Sequence, residues 1–288
     1  SHDEAGQRFW HEQQGLHVVD SIETLLDPTG KTQNLMLTYA VRDGIISHCG
    51  EVRSTVIRPR EEAMDLNDIE RPSQYAPYTW EGCVVKIADK IAYLGRDIED
   101  AVRLGILKED GKPLQDLLKE LNSYSKEPIQ SVTNTSIMYP LITDICRESS
   151  PEAGLVLSQS HINMMDAVMR FNYAHIYKNK RLEVYHAYAR LILESVYKLL
   201  RECYDGTETM NNIRLLAKDY PTLGRHFEKR MKKFSDSGRL EADPDEYGNK
   251  VIYRISDSEA DYKKACIDYI AGMTDTYAEK IFGEMTTF

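Results

Sequence analysis

Apolar residues recur along this chain at three- and four-residue intervals, the spacing of one helix face. Gly15–Leu26 places Leu16, Val18, Val19, Ile22, Leu25 and Leu26 on such a pattern, and Leu35–Cys49 repeats it up to Gly50, a helix stop. Residues 51–78 are polar, carry Pro59, Pro72 and Pro77, and predict a long loop. Helices are predicted over Thr79–Leu107, Pro113–Leu121, Pro128–Arg147, His161–Lys178, Leu182–Tyr204 and Thr222–Lys233, the last with Pro221 just inside its start. Ser235–Asn249 predicts a loop, and Val251–Ile255 a short strand that could form a small β-hairpin. Asp257 is placed as the cap of a final helix reaching about Phe282. The expectation is an all-α helical bundle forming one domain over 1–288, with 235–256 as a loop or hairpin insertion. No repeat or low-complexity tract interrupts it.

Within Thr79–Leu107, Asp89, Tyr93 and Asp97 stand at i, i+4 and i+8, so they drift only slowly around the helix and face one space. Asp89 is flanked by Val85, Ile87, Ala88 and Ala92. A carboxylate among apolar groups is costly unless paired or bound to a cation. With Lys90 beside them, these side chains suit a metal, a phosphate and a sugar hydroxyl. The plainer alternative is an amphipathic helix whose Lys86, Lys90 and Asp97 form a solvated edge.

Other polar clusters carry two readings each. His11-Glu12, ahead of an apolar helix, is an acid/base pair or a helix start with an acid at the positive end of the dipole. His2-Asp3 is a ligand doublet or a terminal remnant. Gly272, inside the predicted last helix, marks close packing or a ligand near the backbone. Arg225, Lys229, Arg230, Lys232 and Lys233 form a basic face, either solvated or in contact with a nucleotide or subunit.

Charge and cysteine usage narrow the class. The 288 residues carry a formal net charge of -10. Nucleic acid is therefore not expected as the main ligand, because phosphate backbones demand clustered Lys and Arg. Phosphate chemistry must then be local, in a pocket with its own cations. Five dispersed cysteines form no CxxC pair, which fits a reducing compartment. No apolar run of membrane-spanning length is present, so no membrane partner is expected and a soluble, cytoplasmic protein is.

Three segments together resemble a known family. They are Phe9-Trp10-His11-Glu12 with Val18-Val19-Asp20; Leu37–Ile45 leading to His48; and Glu81–Tyr93. A fourth, Asp268–Ala278, is similar to the family's closing helix. In this order they resemble the HD-domain deoxynucleoside-triphosphate triphosphohydrolases, the dGTPase-like proteins. The resemblance implies an HD-type helical domain and metal-dependent hydrolysis of a deoxynucleoside triphosphate to deoxynucleoside and inorganic triphosphate. It implies Asp89 as the last aspartate of the H…HD…D metal set, with a divalent ion (Mn, Mg, Fe, Ni or Zn) as cofactor. Lys90 matches a triphosphate contact, Tyr93 the tyrosine against the sugar, and Asp97 the acceptor of the 3′-hydroxyl. His11 matches the histidine near the α-phosphate, with Glu12 as its neighbouring acid. His2 matches the histidine that follows the family's His-Asp doublet and also faces the phosphates. The first metal histidine and that doublet are then expected upstream of His2. A homo-oligomer, such as a hexamer, is expected as well. The alternatives are an HD phosphohydrolase acting on another nucleotide and a non-catalytic nucleotide-binding or regulatory HD protein.

Overall fold

The computed structural model describes residues 10–49 and 56–287. Among the described residues the chain is all-α, with two short two-stranded antiparallel pairs. It divides into two compact units, 38–184 and 1–37 with 185–288. The helices are α1 His11–His17, α2 Tyr39–Ser47, α3 Trp80–Arg103, α4 Lys112–Tyr124, α5 Asn134–Glu148, α6 Gln159–Asn172, α7 Lys180–Arg201, α8 Thr209–Asp219, α9 Pro221–Phe234, α10 Asp236–Leu240, α11 Glu259–Ala271 and α12 Asp275–Thr286. No helix among the described residues is long and apolar enough to cross a membrane.

In the unit 38–184, α3 is the central element and packs on α2, α5 and α6. Thr79 starts it by accepting the Gly82 backbone N–H at 3.1 Å. Cys83, Ile87, Ile91, Leu94 and Ile98 recur every three or four residues and are buried together. They meet Leu117 and Leu121 of α4, Ile137 and Leu141 of α5, and Met164, Val168 and Phe171 of α6. Thr133 and Ser136 form a reciprocal capping box at the start of α5. The region between α2 and α3 is tied down by Asp43. Its carboxylate pairs with Arg60 and accepts the Tyr78 backbone N–H at 2.7 Å. Strand β3 Val56–Ile57 from this loop pairs with β4 Leu155–Val156, two strands too short to read from periodicity.

In the other unit, α1 continues through a widened turn, Val18–Ile22. A hairpin follows, β1 Thr24–Leu26, where the sequence predicts continued helix, with β2 Thr32–Asn34. α8 and α9 cross so closely that a Cβ on Gly224 would lie 2.4 Å from the Ala217 Cα. Their inner faces, Met210, Ile213, Leu223, Phe227 and Met231, share a core with Tyr253 and Tyr262. Glu284 accepts the backbone N–H groups of Thr222 and Leu223, filling the start of α9 where Pro221 supplies no donor. Val251–Ile255 forms an isolated bridge from Tyr253 to Ser235 rather than a strand pair. Ser258, not Asp257, caps α11. The expected single closing helix is two, α11 and α12, because Gly272 ends the first and Thr274 caps the second.

Candidate functional site

Helix α3 sets the geometry of the first cluster. Its core stripe turns the opposite face, with Asp89 and Tyr93, toward water, while Asp97 is half-buried. The apolar residues around Asp89 do not bury it. Val84 and Val85 are about half exposed, and Ala88 and Ala92 are exposed with them. The expected desolvation cost at Asp89 therefore does not arise, and its carboxylate is available at the surface. Lys86 and Lys90, which a solvated-edge reading leaves outside, are both buried at 7% exposure.

Asp97 is engaged by a residue the sequence reading did not single out. The Tyr177 hydroxyl donates to its carboxylate. Burial, then the hydrogen bond and charge of Asp97, push the Tyr177 phenol well above its ordinary value and keep it a donor. Tyr177 reaches this position through the widened turn Tyr173–Tyr177 that follows α6. Such turns break the 3.6-residue register and recur at functional sites. Asn172, at the end of α6, donates to the Leu94 carbonyl at 2.9 Å, and its buried Oδ1 has no hydrogen-bond partner.

The end of α2 approaches the same helix. The Lys86 ammonium donates to the carbonyls of Ser47 at 3.1 Å and Cys49 at 2.5 Å, and to Ser73 Oγ at 3.3 Å. A cation at carbonyls that end a helix is favourable. This anchorage brings Cys49 Sγ to 3.8 Å from Asp89 Oδ2. His48 donates Nδ1–H to the Ile45 carbonyl at 2.6 Å. Asp89, Cys49 and His48 are donor types that fit a divalent cation.

The remaining candidates lie in the other unit or beyond the described residues. His11 is exposed, and its Nδ1 lies 3.0 Å from Oε2 of Glu12, which is 1% exposed. That spacing is an ion-pair distance without aligned hydrogen-bond geometry. His2 and Asp3 fall outside the described residues. In the Asp268–Ala278 segment, Asp268 is a buried hub. It accepts from Gln14 at 2.8 Å, His17 at 3.0 Å and Tyr253 at 2.7 Å. Burial opposes its ionisation, but these three donors outweigh it and lower its pKa. The basic face of α9 is divided. Lys232 pairs with Glu228, Lys233 donates to Thr24, and Arg230 lies over the rings of Phe234 and Tyr269.

No protein-family model matches the chain. Three curated relatives, each named a deoxyguanosinetriphosphate triphosphohydrolase-like protein, are similar over nearly all of it. The relative from Clostridium perfringens strain 13 is 26% identical over 96% of this chain and 60% of its own length. One from Caldanaerobacter subterraneus is 25% identical over 94% of this chain and 56% of its own. One from Rickettsia bellii is 24% identical over 96% of this chain and 67% of its own. The chain thus spans about 60% of the length of the first of these relatives.

Proposed function

We propose that this chain is a dGTPase-like protein that acts on deoxynucleoside triphosphates and releases inorganic triphosphate, a reading supported by its similarity to relatives of that name. The observation that carries the reading is the array on α3: Asp89, Tyr93 and Asp97 on one helix, with Asp97 held by Tyr177. Asp89 would hold a divalent cation, with Cys49 beside it, and the cation would polarise a phosphoryl oxygen. Lys90 opposes the negative charge of the triphosphate. Tyr93 packs against the sugar and leaves little room for a 2′-hydroxyl. Asp97 accepts a hydrogen bond from the 3′-hydroxyl, so the pair favours deoxyribose. Water adds to the α-phosphorus as the bond to the 5′-oxygen breaks, and His11 or His2 moves the proton. The active species is proposed to be a homo-oligomer.

The test is incubation with each of the four dNTPs and Mn²⁺, with detection of inorganic triphosphate. Release that disappears in Asp89→Ala supports the reading, with Asp97→Ala mainly weakening substrate binding. Release unchanged in Asp89→Ala sinks it. Nucleotide binding with no release favours a regulatory role, and orthophosphate alone favours hydrolysis of a different nucleotide bond.

A further inference from the structure

We propose that the cleft between α4 and α6 binds a neutral, nucleobase-bearing molecule of deoxynucleoside size, and that its occupancy is felt at Asp97 through the widened turn Tyr173–Tyr177. The choice of a deoxynucleoside rests on the reaction proposed above, whose product it is. The cleft and its ring-and-rim chemistry stand apart from that reaction.

Small residues open the cleft. Ala167, Phe171 and Ala174 line it from α6 and the turn that follows, and Pro113 and Leu117 line it from α4. Alanine at 167 and 174 leaves space on either side of the Phe171 ring. That space is about 420 Å³, within the range of small-molecule sites. Leu117 and Ala167 are buried, so its floor is apolar. Phe171 and His175 hold their rings 4.7 Å apart at 36°, an aromatic wall for a flat ring to stack on.

The rim selects a neutral ligand. Arg170 of α6 pairs with Glu120 of α4 at 2.8 Å, and Lys112 pairs with Asp116 at 2.5 Å. Two cations are thus matched by two carboxylates. A triphosphate is held by positive charge in excess, which this rim lacks. A nucleobase is uncharged and carries both N–H donors and carbonyl or ring-nitrogen acceptors. The carboxylates accept from the first, and the guanidinium and ammonium donate to the second.

The turn joins this cleft to Asp97. Ala174 and His175 line the cleft, and Tyr177, two residues beyond His175, donates to the Asp97 carboxylate. Ile176 between them is buried in the core of the unit 38–184. A ring seated against His175 therefore bears on the segment that places Tyr177. A ligand that favours one setting of this turn biases it. By linkage, a deoxynucleotide held at Asp97 changes the affinity of the cleft by the same factor.

Calorimetric titration of the purified chain with each of the four deoxynucleosides, without added metal, tests the site. Saturable binding is expected in the wild type and in Asp97→Ala. Ala174→Leu, which fills the cleft from its exposed rim, should abolish it. Phe171→Leu, which keeps an apolar floor without the ring, should weaken it about tenfold, the scale of one base–aromatic stack. Both cleft variants are checked for unchanged helicity. Saturating deoxynucleoside should shift the affinity for a dNTP in the wild type and leave it unshifted in Ala174→Leu. No binding of any deoxynucleoside overturns the proposal. So does binding that is lost in Asp97→Ala and kept in Ala174→Leu, which places the product on α3. Binding in the cleft with no shift in dNTP affinity overturns the link to Asp97. Binding in the cleft without triphosphate release from any dNTP keeps the site and removes the hydrolytic reading. Triphosphate release with no deoxynucleoside binding does the reverse.

Discussion

Tyr177 donates its hydroxyl to the carboxylate of Asp97, although the two are 80 residues apart. Asp97 is the group proposed to read the 3′-hydroxyl, so the bond fixes where that acceptor points. Tyr177→Phe removes the donor and leaves the ring. Deoxynucleotide affinity is expected to fall about tenfold, the equivalent of one hydrogen bond to a charged group. Calorimetric titration of wild type and variant checks this. Tighter binding in the variant would mean that Tyr177 competes with the sugar instead of orienting its acceptor.

Asp43, which is buried, forms an ion pair with the partly buried Arg60 and also receives the Tyr78 backbone N–H. Burial lowers the Arg60 pKa, but the bond and charge of Asp43 more than reverse this and raise it overall. Removing one partner leaves a charge without its counter-ion in low dielectric. Asp43→Ala should cost about 3–5 kcal/mol by denaturant unfolding. A loss below about 1 kcal/mol, the scale of a surface pair, would show that water reaches Arg60.

Asp268 should govern the acid limb of stability. Its pKa is lowered in the folded chain. The unfolded carboxyl therefore binds more protons through that window, and stability rises with pH there. The contribution is complete above the ordinary carboxylate value of about 3.9 and is lost as pH falls through the depressed one. Melting temperatures between about pH 6 and pH 2 should drop less steeply for Asp268→Asn than for the wild type. Parallel curves would assign the acid limb to other carboxyls.

The parts that were legible in the sequence are those whose signal is local. The α3 stripe of Cys83, Ile87, Ile91, Leu94 and Ile98 fixes both the helix and its buried face. α8 escapes the reading because it places only Met210, Ile213 and Leu216 on its face and carries the weak helix formers Asn211 and Asn212. The environment of Asp89 escapes for a different reason. Val85, Ala88 and Ala92 are apolar, but the helix phase turns them outward with it, and composition alone does not report phase. Tyr177 is invisible to any spacing rule, because the widened turn after α6 breaks the helical register before it reaches Asp97. Cys49 comes to Asp89 through the grip of Lys86 on two carbonyls, a contact between segments that no motif encodes.

Two glycines separate close packing from simple helix termination. A Cβ on Gly95, within α3, would lie 2.6 Å from the Cα of Asn134, where α5 begins. That neighbour is backbone, so it moves only if the start of α5 moves. Alanine would gain about 1 kcal/mol of helix propensity and lose more to the clash. Gly95→Ala is expected to destabilise by about 1–3 kcal/mol and to weaken nucleotide binding, since Tyr93 and Asp97 flank it. Gly272 is the contrasting case. It sits at the end of α11 at φ -86°, and its Cβ would meet the Asp268 and Tyr269 carbonyls at 3.5 and 3.6 Å, ordinary contact distances. Gly272→Ala should stay within about 0.5 kcal/mol of wild type. Parallel urea denaturation of the two variants decides the matter. Equal stability of both would mean that the α3–α5 contact yields to a methyl group. A large loss at Gly272 would mean that its backbone approach, not its role in ending α11, is what requires glycine.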